Sequence, residues 1–284
     1  MTASLEPGKS GDAFAIFHRF IDGRRRNRAL GRPLVVGICG AQGSGKSTLS
    51  EGLAVQFARE GLSVAVLSLD DLYLSREARS ELARSVHPLL LTRGVPGTHD
   101  VALGESFLAD LVAGRAAAVP RFDKGLDGPV PARQWPVVGP EVDLLLFEGW
   151  CVGAIPQNEG ALARPVNDLE RRHDPHAIWR SYVNAELAGA YQTLFSRIDI
   201  LALLAAPGFD IVANWRWEQE RALRQRLNSQ GRDIGRTMDE EDIVCFVSHF
   251  QRLTEHILEE MPERADLVVR LDASRRVRSR NVAD

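Results

Sequence analysis

Residues Gly40–Ser47 read Gly-Ala-Gln-Gly-Ser-Gly-Lys-Ser, a Gly-x-x-x-x-Gly-Lys-Ser spacing that leaves the backbone few ways to run. The run Leu34–Cys39 before it (Leu-Val-Val-Gly-Ile-Cys) reads as a buried strand, and the stretch after it, from Thr48 to Glu60, reads as a helix. Glycines in such a strand-loop-helix turn let successive N–H groups point inward around an anion, and the helix N-terminus adds a favourable dipole. The pattern predicts a phosphate-binding loop formed by Gly40, Ala41, Gln42, Gly43, Ser44, Gly45, Lys46, Ser47 and Thr48, serving a nucleoside triphosphate. Lys46 is placed to reach the β- and γ-phosphates and the Ser47 hydroxyl to ligate Mg²⁺. A relaxed copy at Ala3–Ser10 lacks a preceding strand, and Pro7 removes a needed donor, so residues 1–11 are expected to be a disordered tail.

The chain has 284 residues, 44% of them hydrophobic, enough for a substantial core. A net charge of −3 gives no bias toward nucleic acid or anionic membrane, and neither is expected as a partner. Two arginine runs, Arg24–Arg26 with Arg28 and Arg275–Arg276 with Arg278 and Arg280, read as a solvated helix end and a frayed C-terminus. The three cysteines, Cys39, Cys151 and Cys245, lack metal-site spacing, which points to a reducing compartment. No run approaches eighteen apolar residues and no signal core opens the chain, so a cytoplasmic protein is expected.

Short apolar runs alternate with longer amphipathic ones. Strands are predicted at Leu34–Cys39, Ser63–Leu69, Asp143–Glu148, Ile198–Ala205 and Asp266–Leu271, mostly continuous apolar runs suited to a sheet covered on both faces. Helices are predicted at Asp12–Arg28, Ser47–Glu60, Gly104–Ala113, His176–Phe195, Trp215–Asn228 and Asp239–Glu260. The expected fold is α/β, a P-loop NTPase with a mainly parallel sheet and helices on both faces, in a single domain. Two stretches break the rhythm. Residues 71–141, rich in glycine and proline in their second half, read as an inserted loop or small hairpin that binds the acceptor, and residues 207–236 as an arginine-rich lid.

Strand C-terminal ends face the ligand crevice in such sheets. Asp70, ending the second strand, is therefore placed to accept a proton from an attacking hydroxyl, to hold that hydroxyl in line, or to help organise Mg²⁺, while Asp71 is a candidate helix cap. Glu148 ends the third strand and would orient the magnesium shell; Glu followed by Gly-Trp points to a metabolite kinase. Leu91–Asp100 and Val119–Gly125 set Arg93, His99, Asp100, Phe122, Asp123 and Lys124 among turn residues, groups suited to a small hydroxylated acid. In the lid, Arg216, Glu220 and Arg224 share one helical stripe, so that Arg216 and Arg224 could close over the phosphates.

Assembled in order, Gly40–Thr48, Ser68–Tyr73, Arg93–Asp100, Pro120–Lys124, Phe147–Trp150, Trp215–Arg224 and Met238–Ser248 resemble the D-glycerate 3-kinases of the plant and fungal type. These belong to the P-loop group that includes uridine kinase, phosphoribulokinase and pantothenate kinase. The resemblance implies ATP-dependent phosphorylation of a small hydroxylated metabolite, Asp70 as the acid residue after the second strand, and Tyr73 and Asp100 in the acceptor site. The chain departs from the family after Lys124. It reads Gly125-Leu-Asp-Gly-Pro-Val-Pro-Ala-Arg133 where a Gly-Asp-Arg segment is usual, and Arg133 is the residue available for that arginine's place. Another alcohol acceptor remains open. A switch or metal-insertion GTPase is disfavoured by the lack of an Asn-Lys-x-Asp guanine signature, and a nucleic-acid ATPase would rest on the arginine runs alone.

Overall fold

The computed structural model describes residues 11–27, 31–229 and 238–282. Its strands are β1 (Leu34–Gly40), β2 (Val64–Ser68), β3 (Ala117–Ala118), β4 (Phe122–Asp123), β5 (Gly128–Pro129), β6 (Val137–Val138), β7 (Leu144–Gly149), β8 (Ile200–Ala205), β9 (Leu267–Leu271) and β10 (Val277–Val282). The helices are α1 (Gly11–Arg26), α2 (Lys46–Arg59), α3 (Arg76–Ser85), α4 (Val101–Val112), α5 (Asp168–His173), α6 (Ile178–Ala188), α7 (Ala190–Phe195), α8 (Asp210–Ser229), α9 (Glu240–Ser248) and α10 (Gln251–Glu260).

Six strands form one sheet in the order β10-β9-β8-β1-β7-β2, parallel except for β10, which runs antiparallel along the β9 edge. Alternation along the strands divides the core. Val35, Leu145, Phe147, Leu203 and Val268 face α4, α7 and α10, whereas Val36, Ile38, Leu146, Leu204 and Val269 face α1, α2 and α8. Burial on both faces explains why the five parallel strands are apolar almost throughout. The chain is α/β, a P-loop fold with a mainly parallel sheet covered on both sides.

The sequence expectations need four corrections. The C-terminal arginines are not frayed: Arg276 follows the β9–β10 turn, Arg278 and Arg280 lie on β10, and Arg275 sits at the turn itself. The predicted helix 176–195 is two helices that break at Gly189, and 239–260 is two that break at His249 and Phe250. The insertion is more ordered than a loop or one hairpin. Besides α4, which the helix predicted at Gly104–Ala113 anticipates, it holds α3 and two small antiparallel pairs, β3·β6 and β4·β5. Helix α5 was not anticipated at all.

Of the expected tail 1–11, Gly11 instead opens α1; residues 1–10, together with Arg28 and the lid residues Gly231, Gly235 and Arg236, lie outside the described residues. Among the described residues no helix is long and apolar enough to cross a membrane.

Candidate active site

The phosphate loop leaves β1 at the sheet centre and enters α2 through Gly45, which is in the left-handed region and gives the helix no side-chain cap. That leaves first-turn N–H groups for an anion. Gly43 also has positive φ (77°), and a Cβ there would lie 2.5 Å from the Cβ of Trp215, so only glycine fits between the loop and α8. Trp215 is buried and donates its indole N–H to the Ala273 carbonyl at 2.8 Å. Arg275 stacks on the same ring, 4.9 Å from its centroid, and donates through Nε to the Gly43 carbonyl at 2.6 Å. The loop is thereby held from outside by the β9–β10 turn. The side chains of Ser44 and Gln42 each carry a buried oxygen without a partner in the protein.

Glu148 pairs in register with Ile38 on β1 and Ser68 on β2, which puts it at the mouth of the sheet beside the loop. The Ser47 hydroxyl donates to Glu148 Oε1 at 3.0 Å, while Oε2 is buried with no partner. A buried carboxylate oxygen left unsatisfied next to a hydroxyl fits a hard dication such as Mg²⁺. No cluster of three or more His, Cys, Asp or Glu side chains stands ready for a metal among the described residues. Such an ion would complete its shell with water and phosphate oxygens, as magnesium does in phosphoryl-transfer sites.

Across a cleft of about 260 Å³ from Lys46 and Ser47 stands Asp70. Its carboxylate accepts from the Tyr73 hydroxyl at 2.6 Å and from Lys124 Nζ at 2.5 Å. Burial pushes its pKa up, but the charges of Lys124 and Lys46 and these two hydrogen bonds outweigh that and hold it well below the usual carboxylate range. Asp70 is thus an anion that accepts hydrogen bonds, and a weak base. Asp71 does not cap a helix. It accepts from the Phe122 backbone N–H at 3.1 Å and from Arg121, which ties the β4 segment to the end of β2, and burial raises its pKa.

The Arg93–Asp100 segment reaches the site through the backbone. Tyr73 and His99 form an antiparallel bridge, flanked by Leu74 N–H to the Thr98 carbonyl (2.9 Å) and Asp100 N–H to the Leu72 carbonyl (2.6 Å). Gly94 (φ 135°) packs against Phe250 too closely for a Cβ, and its carbonyl accepts the Trp150 indole N–H at 2.7 Å. Arg93 consequently projects into the cleft, 5.7 Å above the Phe122 ring.

Other predicted acceptor residues are set back from the cleft. His99 is buried, stacks on Tyr73 and lies 2.6 Å from the Tyr191 hydroxyl; burial lowers its pKa to about 4. Asp100 is exposed and caps α4 by accepting from the Leu103 N–H at 3.0 Å, so the structure does not bring it together with Arg93 and Lys124. Asp123 accepts from the N–H groups of Gly125 and Leu126 and shapes the turn between β4 and β5. Phe122 supports Tyr73 edge-on. Arg133 is exposed in a short 3₁₀ turn away from the cleft.

On α8, Arg216 lines the cleft and forms a 2.8 Å ion pair with the buried Glu220, and its guanidinium also faces the Phe246 ring. Glu220 in turn accepts from the Met238 N–H at 2.9 Å. Arg224 points elsewhere, donating to the Met238 carbonyl at 2.6 Å and stacking on Trp217. Sequence reasoning missed Gln219, Phe246 and Phe250 as lining residues, along with Arg79, Asp127 and Arg275 behind the wall. Arg79 and Asp127 carried no motif, and Arg275 was hidden in a charge run.

A family model described as the methylmalonyl-CoA mutase-associated GTPase MeaB matches residues 23–73, the stretch that holds β1, the phosphate loop, α2 and β2. An uncharacterized kinase of Schizosaccharomyces pombe, mug58, is 36% identical over 230 residues, covering 78% of this chain and 79% of that protein. The chain belongs to this P-loop kinase family. The chloroplastic D-glycerate 3-kinase of Arabidopsis thaliana is 31% identical over 77% of this kinase, which spans 46% of the plant protein's length. The D-glycerate 3-kinase structure from Cryptococcus neoformans superposes with a TM-score of 0.77 over 97% of this kinase and 100% of that chain, at 24% identity, a match of fold. As a kinase, the chain is a nucleotide-using phosphotransferase, which agrees with a cleft framed by a phosphate loop and a carboxylate.

Proposed function

We propose that this kinase transfers the γ-phosphoryl group of MgATP to a hydroxyl of D-glycerate, giving 3-phosphoglycerate. The observation that carries the reading is the composition of one cleft. Lys46 and Ser47 stand on its phosphate side, and Asp70, Lys124 and Arg93 face them. The sequence relation to the plant D-glycerate 3-kinase supports the choice of acceptor.

In this reading Lys46 and the loop N–H groups hold the β- and γ-phosphates, and Ser47 and Glu148 would hold Mg²⁺, which supplies charge neutralisation on the phosphates. Asp70 accepts a hydrogen bond from the attacking hydroxyl and fixes it in line. A strong base is not required, because the phosphoryl group moves through a loose transition state in which the hydroxyl proton leaves late. Arg93 and Lys124 pair the acceptor's carboxylate. Lys124 exchanges its contact with Asp70 for that carboxylate at small cost, since its side chain is 58% exposed. Arg216 closes over the phosphates from α8. The free thiols Cys39, Cys151 and Cys245 support a reducing, cytoplasmic setting.

A coupled ADP-release assay over D-glycerate, glycerol, pantothenate and nucleosides tests the acceptor. Turnover with D-glycerate and none with glycerol is the expected result. Equal turnover of glycerol, which offers the hydroxyls without the carboxylate, overturns it.

A further inference from the structure

The departure from the family pattern after Lys124 places Asp127 at the turn between β4 and β5, in the left-handed region at φ 56°. Its Oδ1 accepts from Arg79 at 2.6 Å and from Arg93 at 2.5 Å. Arg79 is only 2% exposed. Arg79 also donates to the Leu74 carbonyl (3.2 Å) and the Leu91 carbonyl (2.6 Å), one in each of the two segments that the Tyr73–His99 bridge joins. Arg79 is therefore a fixed post, and Asp127 is clamped to it.

Arg93 has no comparable anchor of its own. Beyond Asp127 it makes a 3.5 Å approach to the Lys124 carbonyl and lies over the Phe122 ring. Arg79, Asp127 and Arg93 together carry one surplus positive charge, the complement of one carboxylate. The single carboxylate also keeps two guanidinium groups from repelling each other across the same oxygen.

We propose that Asp127 is a positioning residue for acceptor specificity: it clamps Arg93 to the buried Arg79, so that the donors Arg93 keeps free meet the carboxylate of a hydroxy acid. This rests on the acceptor reading given above. A guanidinium fixed before binding loses less side-chain entropy when it engages the ligand. Positioning of this kind acts on acceptor binding and leaves the nucleotide untouched.

Asp127→Asn is the informative variant, because asparagine tolerates the left-handed backbone while removing the charge. The KM for D-glycerate is expected to rise about tenfold, with the KM for ATP unchanged, as for a weakened charge-assisted contact. In an Arg93→Ala background the same change is expected to add nothing, since Asp127 acts through Arg93. An acceptor KM equal to wild type, a parallel rise in the KM for ATP, or full additivity with Arg93→Ala overturns the proposal. Should Asp127→Asn melt below the assay temperature, Asp127→Gly, which also suits the left-handed backbone and removes the carboxylate, carries the same cycle, read by the same three outcomes. Failure of the glycerate reading is separate: it shows in the wild-type enzyme, as turnover of glycerol in place of D-glycerate.

Discussion

Lys124 Nζ donates to Asp70 Oδ2 at 2.5 Å, which keeps the carboxylate opposite the phosphate loop ionised throughout the physiological range. Depression of this pKa means that no acid limb between pH 5 and 8 arises from Asp70. Asp70→Asn keeps the shape and removes the charge, so kcat is expected to fall by roughly 10² to 10⁴ with ATP affinity little changed. Single-turnover rates alongside nucleotide titration check this. Loss of ATP binding with preserved kcat would reassign Asp70 to the metal.

Glu148 has one oxygen on Ser47 and one buried without a partner. Glu148→Gln puts an amide where the metal's water shell would be oriented. The Mg²⁺ concentration for half-maximal rate is expected to rise on the order of tenfold, ahead of any change in the acceptor KM. A Mg²⁺ titration at saturating ATP measures it, and an unchanged requirement would remove Glu148 from the metal's surroundings.

Arg275 reaches the Gly43 carbonyl from the β9–β10 turn and is stacked on Trp215. Arg275→Ala releases the outside of the phosphate loop. A KM for ATP raised about three- to tenfold is expected, with the acceptor KM unchanged, from the loss of one charged hydrogen bond. Steady-state kinetics in both substrates separates this from general damage, which would move both constants.

His99 is neutral when folded, with its pKa lowered by burial to about 4 from the ordinary 6.5. Below pH 6.5 the unfolded chain takes up a proton that the folded chain refuses, so stability falls as pH drops from 6.5 toward 4. The loss attributable to His99 is on the order of 3 kcal/mol across that window. His249, also lowered by burial, adds in the same direction. Melting curves from pH 7 to pH 4 should therefore be shallower for His99→Gln than for the wild type, and identical slopes would show that His99 accepts its proton while folded.

How far the sequence could be read depended on where each residue's free energy comes from. The parallel strands were legible because burial on both faces demands apolar residues at nearly every position, as in Leu144–Phe147. The edge strand β10 was not, because its Arg-Ser-Arg-Asn stretch is exposed and its order comes from pairing with β9. Helix α3 escaped for a related reason: the side chain it buries is Arg79, satisfied by carbonyls that only the fold brings near. At the site, residues tied to the backbone motif could be placed, such as Lys46 and Ser47. Asp100 misled, because an aspartate beside a binding segment and an aspartate at a helix N-cap look alike until the helix start is known. Asp127 was passed over because its partners lie 34 and 48 residues away.

β1 lies between β7 and β8, with Leu34 opposite Leu144 and Val36 opposite Ile200. During synthesis the phosphate loop is complete in sequence by Ser47, yet the strands that fix it, and Arg275 behind it, are made much later. Folding of the sheet centre must therefore wait on distant contacts, a slow kind of closure. Nucleotide can stabilise only the finished molecule, so in a cell the supply of ATP would act on the lifetime of the mature kinase and not on its first folding steps.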